Sequence, residues 1–200
     1  MFKSEPGVGF CIIDAEGVLR YTNFRACELC FKTKTTEEAI GKSLGDFFDK
    51  EFVAERMVMF QGIVESGKPA IMRHIRDGVQ LQSTIRLLDD PEGGPPSFLI
   101  TIVEGEHDPE NPEAFEIVES KLVNLGPLNP LTRREIEVLA LIGHGMSTKQ
   151  IADTLHRSPR TIERHCDGLR EKLNTANRVQ LSEFARRAGL RVEDANLKRF

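Results

Sequence analysis

The chain has 200 residues, 40% apolar and 29% charged, which suits one large or two small globular domains. It holds no apolar run of about eighteen residues and no basic start followed by an apolar core, so no membrane span or secretory signal is expected. Cys11, Cys27, Cys30 and Cys166 are too few and scattered for a disulfide framework, and they suit a reducing cytoplasm. The net charge of −4 hides an asymmetry: residues 1–126 carry 13 Lys+Arg against 22 Asp+Glu, and residues 127–200 carry 14 against 9. A basic half behind an acidic one points to a polyanion meeting only the second half, although two differently charged solvated faces would give the same numbers.

In chain order, Gly9 to Asp14 (GFCIID) and Gly17 to Thr22 (GVLRYT) read as short strands joined by a turn at Ala15 to Gly17. Asn23 can cap a helix through Ala26, Leu29 and Cys30, and Thr36 to Lys42 reads as a short helix closed by Gly41. Phe52 to Ser66 carries the broad apolar face of a buried helix. Ala70 to Arg76, Gly78 to Leu88 and Ser97 to Val103 read as three strands, antiparallel by their short connections, with a loop at Asp89 to Pro96. Strands, helices, then strands give an α+β reading, an antiparallel sheet with flanking helices. The segments GVGFCIIDAEGVLRYTN, RACELC, IGKSLGDFF and the RDG turn at Arg76 to Gly78 resemble the PAS family of sensor domains over roughly Gly7 to Gly105. The resemblance implies a small ligand or a partner held between sheet and helices, and dimerisation. Met57, Met59, Phe60 and Ile63 would then line the ligand pocket, although helical apolar spacing also describes ordinary core.

Glu104 to Pro112 reads as a boundary, and Glu113 to Leu125 as a short connector helix. Its Phe115, Val118, Leu122 and Leu125 form a heptad-like seam that could pair in a dimer or pack on its own domain. The division expected is 1–110 for the sensor, 111–127 for a helical linker and 128–200 for an all-α domain of four helices. Their starts are marked by Thr132 with Glu135, Ser147 with Gln150, Ser158 with Pro159, and Asn177. The short turn at His156-Arg157 sets the third helix to enter a major groove about 12 Å wide.

From LTRREIEVL through GMSTKQIA and SPRTIERH to REKLN, about sixty residues resemble the LuxR-type helix-turn-helix family. The resemblance implies a transcription regulator that binds double-stranded DNA as a homodimer, with RNA polymerase as a possible further partner. Arg160 and Thr161 lie where the third helix's N-terminus can hold phosphate, and Lys149 can reach the other side of the groove. His165, Lys172 and Arg178 carry over as backbone contacts or supports, with a purely structural role open for His165. Glu163, Arg164 and Asp167 occupy base-facing positions: Arg164 can read guanine, and the two acids can accept from cytosine. Asp167 departs from the family's usual basic or small polar residue, and could instead pair with Arg164 or Arg170.

Cys27-x-x-Cys30 with Cys11 falls short of a four-ligand metal or iron–sulfur set. His74 lies on a predicted strand, away from a haem-ligating helix position, and the cysteine motif of flavin light sensors is absent. No cofactor is required, and haem, flavin and iron–sulfur are disfavoured. No Gly-rich phosphate loop, G-x-S-x-G or H-E-x-x-H is present, so no enzyme is expected, and with no phospho-acceptor receiver domain in view input by aspartyl phosphorylation is disfavoured. Two other readings of the first domain stay open: a protein-interaction module without a ligand, and a redox or gas sensor.

Overall fold

The computed structural model describes residues 7–88 and 94–200, so most of the loop expected at 89–96 lies outside the described residues. Two compact units emerge, and both are discontinuous: one takes the chain to His74, then Leu81–Ser120 and Phe200, and the other takes Ile75–Gln80 and Lys121–Arg199.

In the first unit β1 (Gly9–Asp14) turns into β2 (Leu19–Thr22). Asp14 makes that turn by accepting from the N–H groups of Glu16 and Val18 at 3.0 and 2.8 Å, while Gly17 takes φ +82°. Asn23 caps α1 (Phe24–Ala26) and also accepts from the Phe10 N–H at 3.0 Å, which ties the helix start to the sheet. The expected helix then passes into one π-helical turn, Cys27–Phe31. The helix expected over 36–42 is instead a bonded turn, ended by Gly41 in the left-handed region and tied back to Leu19. Seven residues cannot offset the cost of a helical nucleus unless a larger packed face supports them. The long α2 (Lys50–Ser66) is capped by Asp49 and closed by Gly67 at φ +67°.

The sheet adds β3 (Ala70–Arg76), β4 (Val79–Leu88), β5 (Ser97–Glu104) and β6 (Glu116–Glu119), in the order β2-β1-β5-β4-β3-β6. It is mixed, not purely antiparallel: β1 pairs antiparallel with β2 and β5, and β4 with β5, but β6 runs parallel to β3. The connector helix expected over 113–125 is corrected by this pairing. Those residues form a 3-10 turn at Pro112–Ala114, then β6, then β7 (Leu122–Val123). An isolated segment of this length has no helical stability to spare, and Ile117 and Val118 favour a strand once β3 offers an edge.

The second unit is four α-helices with a two-stranded parallel pair, β7 with β8 (Lys198–Arg199). The helices are α3 (Arg133–Gly143), α4 (Thr148–Thr154), α5 (Pro159–Leu173) and α6 (Arg178–Arg187). Thr132, Ser147, Ser158 and Asn177 cap them as their sequence spacing predicts, the first two in full capping boxes. Ile136, Leu139, Ile151, Ile162, Leu169 and Leu181 are wholly buried, and each contributes about 1.5–3 kcal/mol of transfer free energy. A Cβ on Gly143 would lie 2.7 Å from the Ala185 methyl, so α3 and α6 can approach this closely only at a glycine. No helix among the described residues is long and apolar enough to cross a membrane.

Candidate functional site

The third helix of the second unit, α5, has two faces. Ile162, Cys166, Leu169 and Leu173 are buried, while Arg160, Glu163, Arg164, Asp167 and Glu171 are exposed on the other side. The spacing of these five positions keeps them on one solvent-facing stripe. Ser158 accepts from the Thr161 N–H at 3.2 Å, and the Ser158 and Thr161 hydroxyls lie 2.8 Å apart. The remaining N–H groups of the first turn, with Arg160 beside them, form a positive helix end. Lys149 is exposed in the first turn of α4.

The other expected DNA-facing residues divide by what holds them. Asp167 is exposed but ion-paired with Arg170, one of the two partners expected for it. Lys172 donates to Glu135 at 2.7 Å, joining α5 to α3. Arg178 donates to the Met146 carbonyl and approaches the Cys166 sulfur at 3.9 Å. Lys172 and Arg178 are thus tied to other helices and turns of the second unit, and His165 is half-buried on the flank of the helix. Burial pushes the Glu135 carboxyl up, but bonds from Lys172 and Thr132 and the Lys172 charge outweigh it and hold the group below the usual carboxylate range.

Arg134 was not anticipated. Its guanidinium donates to the Leu155 carbonyl at 2.9 Å and pairs with Glu137 at 2.6 Å, bracing the turn that leads into α5. Nothing local in the sequence marks a contact twenty-one residues away. His156, in that turn, is left-handed at φ +51°, and the Arg157 N–H donates to the Ala152 carbonyl at 2.9 Å.

The first unit holds a cavity of about 50 Å³ between sheet and helices. From α2 it is lined by Phe52, Arg56, Met59 and Phe60. Of the pocket residues expected, Phe60 and Met59 therefore line it, while Met57 and Ile63 do not. Met57 is turned toward Gly17, and Ile63 is buried a turn beyond the stripe that faces the cavity. From the sheet, His74 and Ser83 contribute a buried polar pair, Nε2 to Oγ 2.9 Å. Cys11 and Cys30 also line it, and burial, with Cys30 and Cys27 nearby, pushes the Cys11 thiol well up. All four cysteines are buried free thiols. Among the described residues no group of three or more His, Cys, Asp or Glu side chains is placed to hold a metal ion.

Residues 129–185 match the family model of bacterial regulatory proteins of the luxR family, and residues 6–104 match a model of the PAS fold. Among curated relatives, the uncharacterized transcriptional regulatory protein YhcZ of Bacillus subtilis is 34% identical over 95 residues, 48% of this chain and 38% of that one. The transcriptional regulatory protein LnrK of the same species is 39% identical over 62 residues, 31% of this chain and 28% of that one. The chain thus spans well under half the length of the curated relatives it matches. Among solved structures, the Vibrio cholerae VqmA–ligand–DNA complex is 22% identical, with a TM-score of 0.48 over 95% of this chain and 87% of that one.

Proposed function

From a chain whose residues 129–185 are a luxR-family domain of bacterial regulatory proteins and whose residues 6–104 take the PAS fold, we propose a transcription regulator. In this reading its second unit binds promoter DNA as a homodimer under the control of a small ligand or partner sensed by the first. The exposed stripe of α5 carries the reading. It offers a positive helix end with Arg160, the Arg164 guanidinium and the carboxylates of Glu163, Asp167 and Glu171 on one face, over a closed aliphatic core.

Docked in a major groove, Arg160, Thr161 and the helix N-terminus take phosphate, and Lys149 reaches the backbone opposite. Arg164 reads guanine through O6 and N7, and Glu163 accepts from a cytosine amino group. Asp167 reads a base only when Arg170 releases it, and phosphate is the natural new partner for Arg170. Lys172, Arg178 and His165 hold the helix in place. One such module reads few bases, so two copies are needed on paired half-sites about one helical turn apart. The named relatives are transcriptional regulators, and we assign the chain no catalytic step. Promoter DNA as the partner implies a cytoplasmic site of action.

The test is selection of bound duplexes from a random pool by the full chain at two salt concentrations. A two-fold symmetric site, with affinity falling steeply in salt, is the expected result. Recovery of no preferred sequence from an otherwise folded protein would overturn the assignment.

A further inference from the structure

Strand β6 stands last in the order of the first unit's sheet, and it lies beyond residues 6–104, the part that matches the PAS fold. Its bonds to β3 fall on even-numbered residues. The Glu116 N–H donates to the Pro69 carbonyl at 2.9 Å, and past the strand's end the Ser120 N–H donates to the Arg73 carbonyl at 3.2 Å. Backbone groups alternate sides along a strand, so the N–H and C=O groups of Ile117 and Glu119 point away from β3. Among the described residues no further strand pairs on that side. An open edge of this kind is a template for another chain, and its side chains decide which. Ile117 is exposed, Val118 is half-buried, and Glu116 and Glu119 stand exposed at the two ends. The approach to the strand is acidic throughout: from Glu104 to Glu119 there are seven Asp or Glu and no Lys or Arg, and all seven acids are exposed. The chain itself closes the next stretch with a basic strand, since β7 pairs with β8, Lys198–Arg199.

We propose that the β6 edge receives an extended segment of a partner protein with the pattern basic, apolar, apolar, basic, which adds a strand beside Glu116 to Glu119. Its basic residues face Glu116 and Glu119, and its two apolar residues pack against Ile117 and Val118. The pattern reads alike in both directions, so it suits a parallel or an antiparallel strand. Backbone bonds to Ile117 and Glu119 supply the affinity, and the charges at the ends supply the selectivity. A second copy of β6 fits badly in the same place: either direction sets glutamate against glutamate at both ends, and like charges directly opposite destabilise a pair. The inference goes beyond the DNA-binding reading and does not depend on it.

The experiment titrates the isotope-labelled full chain with the end-blocked peptide Thr-Lys-Val-Val-Lys-Thr at low salt and follows backbone amide exchange by nuclear magnetic resonance. Exchange at the Ile117 and Glu119 N–H groups should slow as the peptide binds. The same peptide with Glu in place of both Lys should bind at least about tenfold more weakly. One N-methylated to remove a single backbone donor, with its charges intact, should lose about three- to tenfold, one hydrogen bond's worth. Ile117→Pro deletes an N–H that faces away from β3, so peptide affinity should fall by a similar factor while the melting temperature stays near that of the parent. Glu116→Gln with Glu119→Gln keeps the strand whole whatever proline does to it, and should bring the Lys and Glu peptides close to parity. No protection at Ile117 and Glu119, equal binding of the two peptides by the parent, or an unchanged preference in the glutamine variant would each overturn the proposal. Sedimentation of the parent beside Ile117→Pro tests the other occupant. A change from dimer to monomer would give the edge to a second copy and overturn the proposal as well, whereas an unchanged state supports a strand from a different protein.

Discussion

The α5 stripe and the cavity of the first unit, the two sites of the proposed function, are built in opposite ways. On α5 the interior is closed by aliphatic side chains, and the charged groups stand in water, ready for a charged, hydrated partner. In the first unit the interior itself is left incomplete, and inside it His74 bonds Ser83 and Arg56 pairs with Glu55. A surface site can be rewritten residue by residue at little cost to the fold, whereas a cavity site exchanges stability for recognition at every wall position.

The sharpest way to break this comparison is to truncate one buried side chain in each interior. Leu169→Ala, in the closed core, is expected to cost toward the upper end of about 2–5 kcal/mol, and Met72→Ala, on the cavity wall, toward the lower end. Denaturant unfolding of the two variants checks the order, and equal losses would mean that the cavity wall is as tightly packed as the helical core.

Next in size is Arg164→Ala, expected to cost ~1–3 kcal/mol of DNA affinity and to relax a single base position. Competition with single-base variants of the selected site measures it, and a loss spread evenly over all sequences would return Arg164 to the phosphate contacts.

Thr132→Ala removes the α3 cap and should cost about 0.5–2 kcal/mol of stability. It also bears on pH. The Glu135 carboxyl is held below its ordinary range, so its contribution is complete above that range and is lost as pH falls through the lowered folded-state value. Glu135→Gln should therefore flatten the acid limb of the stability curve, read from melting temperatures between neutral and strongly acidic pH. A variant with an unchanged acid limb would show that the Lys172 bond contributes nothing to it.

The smallest effect tests the strand that replaces the expected linker helix. Ile117 is 60% exposed on β6, so Ile117→Ala should destabilise by less than about 1 kcal/mol, since it lowers β propensity. In a helix the same change would stabilise, and the sign in a melting curve tells the two apart.

The contrast between these segments also explains what could be read in advance. Thr132, Ser147, Ser158 and Asn177 act on N–H groups two or three residues away, so the chemistry that starts each helix is written beside it. The exposed stripe of α5 follows from the same local periodicity. Residues 116–119 take their structure from β3, more than forty positions earlier, and no local pattern announces such a pairing. The cavity has the same difficulty: Phe31, Met72 and Ser83 come from three separate segments, and spacing along α2 alone points also to Met57 and Ile63, which do not line it.

Strand β3 contributes to two interiors at consecutive residues. His74 lines the cavity of the first unit, and the next residue, Ile75, is 2% exposed in the apolar cluster of the second with Val123, Leu125 and Leu128. The turn that follows is locked there, since a Cβ on Gly126 would meet the Asp77 backbone at 2.6 Å. Modularity ends at this point. A fragment cut anywhere after Ser120 lacks Ile75 to Gln80 and leaves apolar side chains uncovered, so the helical unit cannot be moved onto another domain by a single splice and keep its complete core.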